Sequence, residues 1–309
     1  MKSALVTGGA GFIGSHIVDA LIDDGFTVSI VDNLATGKER NINPSAHFYK
    51  IDIRDEKLSD VFDREKPDIV FHLAAQMDVR KSVEDPSYDA DVNVRGAINL
   101  LENSKRTGVE KLLFSSTGGA IYGEPETFPV KEDHPIRPLS PYGLTKFVFE
   151  NYLGLYERLY GFKYTVLRYP NVYGPRQDPH GEAGVVAIFS QQMLTGVQPK
   201  IFGDGNKTRD YVFIEDIVKA NMICIEKGEG EILNLGWGKE VKDIEIFEAV
   251  RDAVGANVEP FFAEPRLGEI ERISLDASKA EKIIGWKPTI PLKEGVRRAV
   301  EFYRNLLAK

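Results

Sequence analysis

The sequence predicts an α/β protein with a doubly wound parallel sheet, followed by a smaller α/β domain. Three observations lead to this fold class. Short apolar, β-branched runs alternate with stretches of helical period in the first half, a glycine-rich segment follows the first run, and Pro- and Gly-rich loops replace the regular pattern after residue 170. Such alternation is typical of repeated β-α-β units, whose ligands bind beyond the carboxyl ends of the strands.

The predicted elements follow one another in a regular order. Strands are expected at about 3–7, 26–32, 48–52, 68–73, 111–116 and 163–169. Helices are expected at about 12–24, 55–65, 86–107 and 141–161. We divide the chain into a cofactor-binding domain over 1–170 and a substrate-binding domain over 171–309, with part of 211–236 returning to the first domain.

Composition excludes several functional classes. The 309 residues carry a formal net charge of −8, and we expect no nucleic-acid partner because sequence-independent binding requires a basic face. No apolar run is long enough to span a bilayer, so no membrane partner is expected. The single Cys224 cannot form an internal disulfide, which favours a cytoplasmic location. The five histidines are scattered, and no metal site is predicted.

The first motif is a glycine-rich turn between a predicted strand and a predicted helix. Gly8, Gly11 and Gly14 recur at three-residue intervals, and Asp32 ends the next strand eighteen residues after Gly14. Such a turn lets backbone N–H groups approach a pyrophosphate, and the acid suits the ribose hydroxyls of NAD. The alternative is that these glycines serve only the turn and its packing. The cofactor-binding residues predicted here are Gly8, Gly11, Phe12, Ile13, Gly14, Asp32 and Asn33.

The third and fourth strands end in residues that suit the same cofactor. Asp52 and Ile53 could flank an adenine, or serve as a cap and a core contact. Small residues after the fourth strand would let a cofactor approach the backbone, although tight helix-strand packing is the alternative. The residues predicted at this second position are Leu73, Ala74, Ala75 and Gln76.

The second motif combines a tyrosine and a lysine four residues apart. Ser140-Pro141 reads as an N-cap and first-turn proline, which places Tyr142 in the first turn of a helix. Both the helix N-terminus and the Lys146 ammonium favour a phenolate, so Tyr142 could act as a base near neutral pH. A hydroxyl cluster, 115–117, ends the fifth strand. A Tyr and Lys at this spacing can also be an ordinary exposed pair.

On these motifs the chain resembles the extended short-chain dehydrogenase/reductases, which have a Rossmann fold, and among them the nucleotide-sugar epimerases. The resemblance runs almost end to end. The segments that carry it are 32–37, 93–96, 114–117, 142–146, 168–176, 203–211 and 276–280.

The resemblance implies a role for each matching residue. Tyr142 would be the base, Lys146 its partner, and Thr117 the hydroxyl that binds the reacting sugar oxygen; Ser116 is a possible substitute for Thr117. Further cofactor contacts are expected from Asn93, Ser115, Tyr142, Lys146 and Tyr169. The nucleotide sugar would be held by Thr117, Asn171, Phe202, Arg209 and Arg266.

Among the reactions of this family, the sequence favours epimerisation. Dehydratases and decarboxylases place acids just after the Ser/Thr, whereas this chain has Gly118-Gly119-Ala120-Ile121. The resemblance therefore implies NAD-dependent epimerisation at C4 of a UDP-hexose through a transient 4-keto sugar, by a homodimer. Another UDP-sugar, such as the N-acetylglucosamine or glucuronate form, and a non-catalytic NAD-binding protein remain the alternatives.

Overall fold

The computed structural model describes residues 2–180, 184–264 and 270–308. The strands in chain order are β1 (Ser3–Thr7), β2 (Thr27–Val31), β3 (His47–Tyr49), β4 (Ile69–His72), β5 (Lys111–Thr117), β6 (Tyr164–Tyr169), β7 (Asn171–Tyr173), β8 (Lys200–Phe202), β9 (Thr208–Arg209), β10 (Tyr211–Phe213), β11 (Glu231–Asn234), β12 (Val241–Lys242) and β13 (Phe261–Ala263). The α-helices are α1 (Phe12–Asp23), α2 (Leu58–Glu65), α3 (Val79–Glu84), α4 (Pro86–Ala90), α5 (Ala97–Thr107), α6 (Pro141–Tyr160), α7 (Val185–Leu194), α8 (Ile214–Ile223), α9 (Asp243–Val254), α10 (Ser278–Ile284) and α11 (Leu292–Leu307).

The main sheet has seven parallel strands in the order β11-β6-β5-β4-β1-β2-β3. Strand order reverses at β1, so the chain winds in both directions from the centre of the sheet. The predicted doubly wound parallel sheet is confirmed. The carboxyl ends of its central strands define the edge at which ligands of such folds bind.

Alternate residues of each central strand enter different hydrophobic clusters. In β1, Ala4 and Val6 pack on the side of α1 and α8, whereas Leu5 packs on the side of α2, α5 and α6. Successive side chains of a strand point to opposite faces, and both faces of this sheet are covered by helices. The central strands are therefore mostly apolar on both faces, which is why short, nearly continuous apolar runs indicated them.

The helical segment predicted over 86–107 contains an irregular turn. Residues Asp91–Gly96 form a π-helical turn between α4 and α5. Such turns occur mostly as single insertions in α-helices, often at functional sites. This one contains Asn93, which the sequence analysis assigns to the cofactor. The preceding short helix, α3, is absent from the sequence prediction.

After residue 170 the chain forms smaller units beside the sheet. Two parallel pairs, β7 with β10 and β8 with β13, and one antiparallel pair, β9 with β12, are separate from the main sheet. Helices α7, α9 and α11 pack against one another. Strand β11 joins the main sheet beside β6. Among the described residues, no helix is both long and apolar enough to cross a membrane.

Candidate active site

The glycine turn after β1 requires its glycines for steric reasons. Gly8 has φ +72°, and a Cβ there would lie 2.8 Å from the backbone nitrogen of Ala74. A Cβ on Gly14 would lie 2.2 Å from the carbonyl oxygen of Gly8. The Gly11 N–H donates to that same carbonyl at 3.0 Å, which closes the turn. Larger residues would therefore push α1 away from the carboxyl end of the sheet.

Helix α1 begins at this turn without a side-chain cap. Its N-cap, Gly11, provides no side-chain hydrogen bond, and the first turn contains no acidic residue. The N–H groups of the first helical turn have no acceptor within the helix, and the helix dipole favours negative charge at this end. The turn therefore fits the pyrophosphate of a dinucleotide, and Phe12 and Ile13 carry the N–H groups closest to the cap.

Asp32 lies at the end of β2, facing the glycine turn. Its carboxylate accepts N–H hydrogen bonds from Ala10 at 3.0 Å and from Leu34 at 2.8 Å. Burial raises the pKa of this carboxyl, while the two N–H donors oppose the rise. Asp32 is thus a fixed acceptor next to the turn, as ribose hydroxyls require.

Asp52 and Asn33 lie together beside Asp32. The Asn33 amide donates to Asp52 Oδ2 at 2.8 Å, and Arg54 donates to both oxygens of Asp52 at 2.8 and 2.9 Å. The Arg54 hydrogen bond lowers the pKa of Asp52 to about 2. Ile53 is buried next to Gly96. The predicted adenine-side residues are therefore neighbours, and Asp52 is already engaged by Arg54.

The end of β4 is held by a hydroxyl from β1. Thr7 Oγ accepts the N–H groups of Leu73 and Ala74, both at 3.2 Å, and lies 2.9 Å from His72 Nδ1. Because the hydroxyl already accepts two hydrogen bonds, its proton donates to that nitrogen. Burial lowers the pKa of His72 to about 3, so its ring is neutral. Ala74 and Ala75, both half-buried, follow, and their small side chains suit a close approach of a ligand to the backbone.

Gln76 and Asn93 connect this loop to the π-helical turn. The Gln76 N–H donates to Asn93 Oδ1 at 2.8 Å, and Asn93 Nδ2 donates to the Gln76 carbonyl at 2.9 Å. This reciprocal pair fixes the loop that contains Ala75. The structure thus brings together Ala75, Gln76 and Asn93, which are three of the predicted cofactor contacts.

Tyr142 and Lys146 lie in the first two turns of α6. Ser140 caps the helix by accepting the Gly143 N–H at 3.2 Å. Lys146 Nζ donates to the Ser115 carbonyl at 2.8 Å and lies 5.9 Å from the centroid of the Tyr142 ring. Burial lowers the pKa of Lys146 to about 8. A lysine close to its titration point beside a phenol can support proton transfer.

The hydroxyls at the end of β5 differ in direction. Ser116 Oγ donates to Glu150 Oε1 at 2.5 Å inside a buried cluster. Thr117 Oγ and Asn171 Oδ1 both lie within 4 Å of the position that a Cβ on Gly119 would take. Thr117 therefore lies beside another predicted substrate residue, and the geometry favours it over Ser116 as the reactive hydroxyl.

The remaining predicted residues are more dispersed. The Tyr169 hydroxyl is 3.0 Å from Asn221 Oδ1, so its ring points into the core on the α8 side. Arg209 donates to the Thr208 carbonyl at 2.8 Å and to the Glu271 carbonyl at 3.4 Å. Phe202 ends β8, in a small sheet outside the main one. Arg266 lies outside the described residues.

Two buried polar clusters behind these residues escaped the sequence analysis. One joins Asp89 to Thr145, and the other joins Glu150 to Arg168. Thr145 and Glu150 follow Tyr142 on the same helix. Their closeness to Tyr142 in the sequence was the one signal that could have linked them to the site. In the described part of the chain, no group of three or more His, Cys, Asp or Glu could hold a metal ion.

Comparison with known proteins agrees with this geometry. Residues 4–236 match the model of the NAD dependent epimerase/dehydratase family. A putative UDP-glucose 4-epimerase of Methanocaldococcus jannaschii is 53% identical over 97% of this chain and 98% of its own. A UDP-glucose 4-epimerase from Thermotoga maritima, solved with UDP-glucose, has a TM-score of 0.97 and 49% identity over 99% of both chains. One from Thermus thermophilus, solved with NAD, has a TM-score of 0.93 and 47% identity over 98% of this chain and 99% of that chain.

Proposed function

This chain belongs to the NAD dependent epimerase/dehydratase family, and we propose that it interconverts UDP-glucose and UDP-galactose by epimerisation at C4. The observation that carries the proposal is the placement of Tyr142, Lys146 and Thr117 at the sheet edge that also holds the uncapped glycine turn. The segment directly after Thr117, residues 118–121, has no acid that could protonate a leaving hydroxyl, which favours epimerisation over dehydration.

The cofactor is NAD, which residues of the predicted first domain would hold. Bound there, NAD would supply reversible hydride transfer at sugar C4, with the sugar passing through a 4-keto form. The glycine turn and the start of α1 would hold the pyrophosphate, and Asp32 the ribose hydroxyls. A buried carboxylate at that place opposes a 2′-phosphate, which supports NAD over NADP.

Tyr142 would take the proton from the O4 hydroxyl of the sugar. The nearby ammonium of Lys146 and the amino end of α6 both stabilise a phenolate. Lys146 is held in place by the Ser115 carbonyl, so its charge has a fixed position relative to Tyr142. Thr117 would donate or accept a hydrogen bond at the same sugar oxygen.

The nucleotide sugar would bind across the boundary between the two predicted domains, 1–170 and 171–309. Asn171 lies beside the Thr117 hydroxyl. Arg209 lies on β9, and within the described part of the chain its guanidinium donates hydrogen bonds to backbone carbonyl groups only. A guanidinium without a carboxylate partner suits a diphosphate. Phe202 and Arg266 are assigned to the nucleotide by resemblance.

The test of this function is an assay with no added cofactor. UDP-galactose is incubated with purified protein, and the anomeric proton signals are followed by NMR. Conversion to a mixture with UDP-glucose is expected, with Tyr142→Phe as the inactive control. No conversion with or without NAD, together with conversion of an N-acetylated or uronic UDP-sugar, would move the assignment to that substrate. No conversion of any of them would leave a non-catalytic NAD-binding protein.

We also propose that the protein acts in the cytoplasm as a homodimer. Leu144, Leu155 and Leu159 form one exposed apolar stripe along α6, because their spacings of eleven and four residues return to the same helix face. A second copy of the chain would cover this stripe. Light scattering is expected to give a dimer mass that Leu155→Glu reduces to a monomer; a wild-type monomer at micromolar concentration would overturn the proposal.

A further inference from the structure

Asp89 is a fully buried carboxylate in α4, directly before the π-helical turn. It accepts hydrogen bonds from three neutral side chains, Thr145 Oγ at 2.7 Å, Gln76 Nε2 at 2.9 Å and Asn93 Nδ2 at 3.1 Å. These donors come from α6, from the loop after β4 and from the π-helical turn. Asp89 therefore connects three segments that carry predicted site residues.

The carboxylate is buried without a cation in contact. Across residues 2–180, 184–264 and 270–308, no ion pair within 4.0 Å involves Asp89. A buried charge costs free energy unless hydrogen bonds or an opposite charge compensate it. Thr145 binds Asp89 and directly precedes Lys146, which is also buried. The two buried charges, one negative and one positive, are thus placed around the same turn of α6.

We propose that Asp89 is a positioning residue for proton transfer at Tyr142. Asp89 fixes the first turns of α6 through Thr145 and sets a buried negative charge beside the turn that carries Lys146. The inference rests on the proposed roles of Tyr142 and Lys146. Asp89 touches neither substrate nor cofactor in this assignment, and acts only through its neighbours.

The charged groups around Lys146 support this assignment. Asp89 and Glu150 are the carboxylates that raise the pKa of Lys146, with Asp89 having the larger effect, whereas burial lowers it. Glu150 is bonded twice to Arg168, whose positive charge offsets it. His72, from β4, is neutral because burial lowers its pKa. Asp89 is therefore the nearby negative charge that no contacting cation among the described residues offsets, and it opposes the loss of the Lys146 proton.

The aromatic and carbonyl neighbours of Lys146 cannot replace that charge. Its ammonium lies 4.8 Å from the centroid of the Phe114 ring and donates to the Ser115 carbonyl. Both contacts favour a cation, but they are dipole or quadrupole interactions and are weaker than a nearby full charge in a dry site. Removal of the Asp89 charge should thus change the titration of Lys146.

The experiment is an NMR titration of Lys146 in the full-length protein carrying 13C-labelled lysine, with Lys146→Met used to assign the signal. In Asp89→Asn, the Lys146 midpoint should move to lower pH by about one unit, a tenfold change in the ratio of charged to neutral lysine. The matched control is Asp216→Asn, because Asp216 is equally buried and also accepts a threonine hydroxyl, from Thr289 at 2.7 Å. That control should leave the Lys146 midpoint unchanged.

The pH profile of turnover gives a second measurement. Activity should fall on the alkaline side as Lys146 loses its proton, and this fall should begin at lower pH in Asp89→Asn than in wild type. An unmoved Lys146 midpoint would overturn the proposal even where turnover is lower. Because the titration needs no substrate, it remains informative if wild type fails to epimerise any UDP-sugar.

A second variant keeps the proposal testable if Asp89→Asn does not fold. Thr145→Val removes the link to α6 and retains the carboxylate, so kcat should fall about tenfold with KM unchanged, as expected when a buried partner is left unsatisfied. Thr145→Ser keeps the hydroxyl and should restore kcat. Wild-type kcat in Thr145→Val would overturn the positioning role.

Discussion

Two buried cations, Lys146 on α6 and Arg168 on β6, lie near the end of β5, and their charges are compensated differently. Arg168 donates to both oxygens of Glu150 at 3.0 and 2.6 Å and to the Tyr122 hydroxyl at 2.7 Å. Within the described part of the chain, Lys146 donates one hydrogen bond, to the backbone carbonyl of Ser115. One cation is matched by a carboxylate in contact, and the other is not.

This difference in pairing gives the two cations different chemistry. The ion pair with Glu150 helps raise the pKa of Arg168, so that its charge is permanent. Burial without a contacting carboxylate lowers the pKa of Lys146 to about 8, within reach of ordinary solution conditions. A fully paired buried cation is structural, because its removal would leave the partner carboxylate buried and unpaired. An incompletely compensated cation can respond to its surroundings and assist a proton transfer.

The largest expected effect is on the side of Lys146. Tyr142→Phe removes the proposed base, and kcat should fall by about 10²–10⁴-fold or more, since general base catalysis contributes that range. Binding of NAD, measured by calorimetry, should remain. Tyr152→Phe, on the same helix, is the matched control and should retain activity. Near-normal turnover in Tyr142→Phe would remove Tyr142 from the base role.

The next effect should be on stability rather than chemistry. Arg168→Met leaves Glu150 buried without its partner, and the free energy of unfolding should fall by about 3–5 kcal/mol. Urea denaturation measures it. Arg137→Met removes an exposed ion pair with Glu126 and should change little. If the two variants lose equal stability, Arg168 is not the structural cation that its contacts indicate.

Ser116 and Thr117, two of the three hydroxyl residues at the end of β5, should separate effects on stability from effects on chemistry. Thr117→Val should lower kcat about 10- to 100-fold, because a reacting oxygen would lose a hydrogen-bond partner worth about 1–3 kcal/mol. Ser116→Ala should leave kcat near the wild-type value and lower stability instead, since Ser116 donates to Glu150. Steady-state kinetics with both variants checks this. The reverse ranking would make Ser116 the reactive hydroxyl.

The sequence was sufficient for the main sheet because its elements have strong, local signals. Each of the six predicted strands of the sheet is present, with ends that differ by at most three residues. The seventh, β11, lies within 211–236. The strands β8, β9 and β12 have only two or three residues, too few to show a period, and their pairing depends on distant segments.

The candidate site was predictable where a motif carries its own geometry. The turn containing Gly8 and the spacing of Tyr142 and Lys146 are local patterns. The contact of Asp89 with Thr145 joins residues 56 positions apart, and no periodicity indicates it. Strand alternation places Ser116 and Thr117 on opposite faces, but which face meets the substrate depends on the packing of α6.

The smallest expected effect is a pH dependence of stability that only the incompletely paired cation should produce. In the folded protein Lys146 has a pKa of about 8, below its ordinary value of 10.5. Between these values the unfolded chain holds a proton that the folded chain has lost, so stability should rise with pH, by at most about 1.4 kcal/mol per pH unit.

Urea denaturation of wild type and Lys146→Met between pH 7.5 and 10 measures this increment as a difference in unfolding free energy. The contributions of titrating groups that both proteins share cancel in that difference. Wild type should gain stability relative to Lys146→Met as pH rises, whereas exposed Lys287→Met should run parallel to wild type. Parallel curves for Lys146→Met would mean that Lys146 keeps its proton in the folded state over this range. The contrast with Arg168 would then lie in geometry alone, because both cations would be permanently charged.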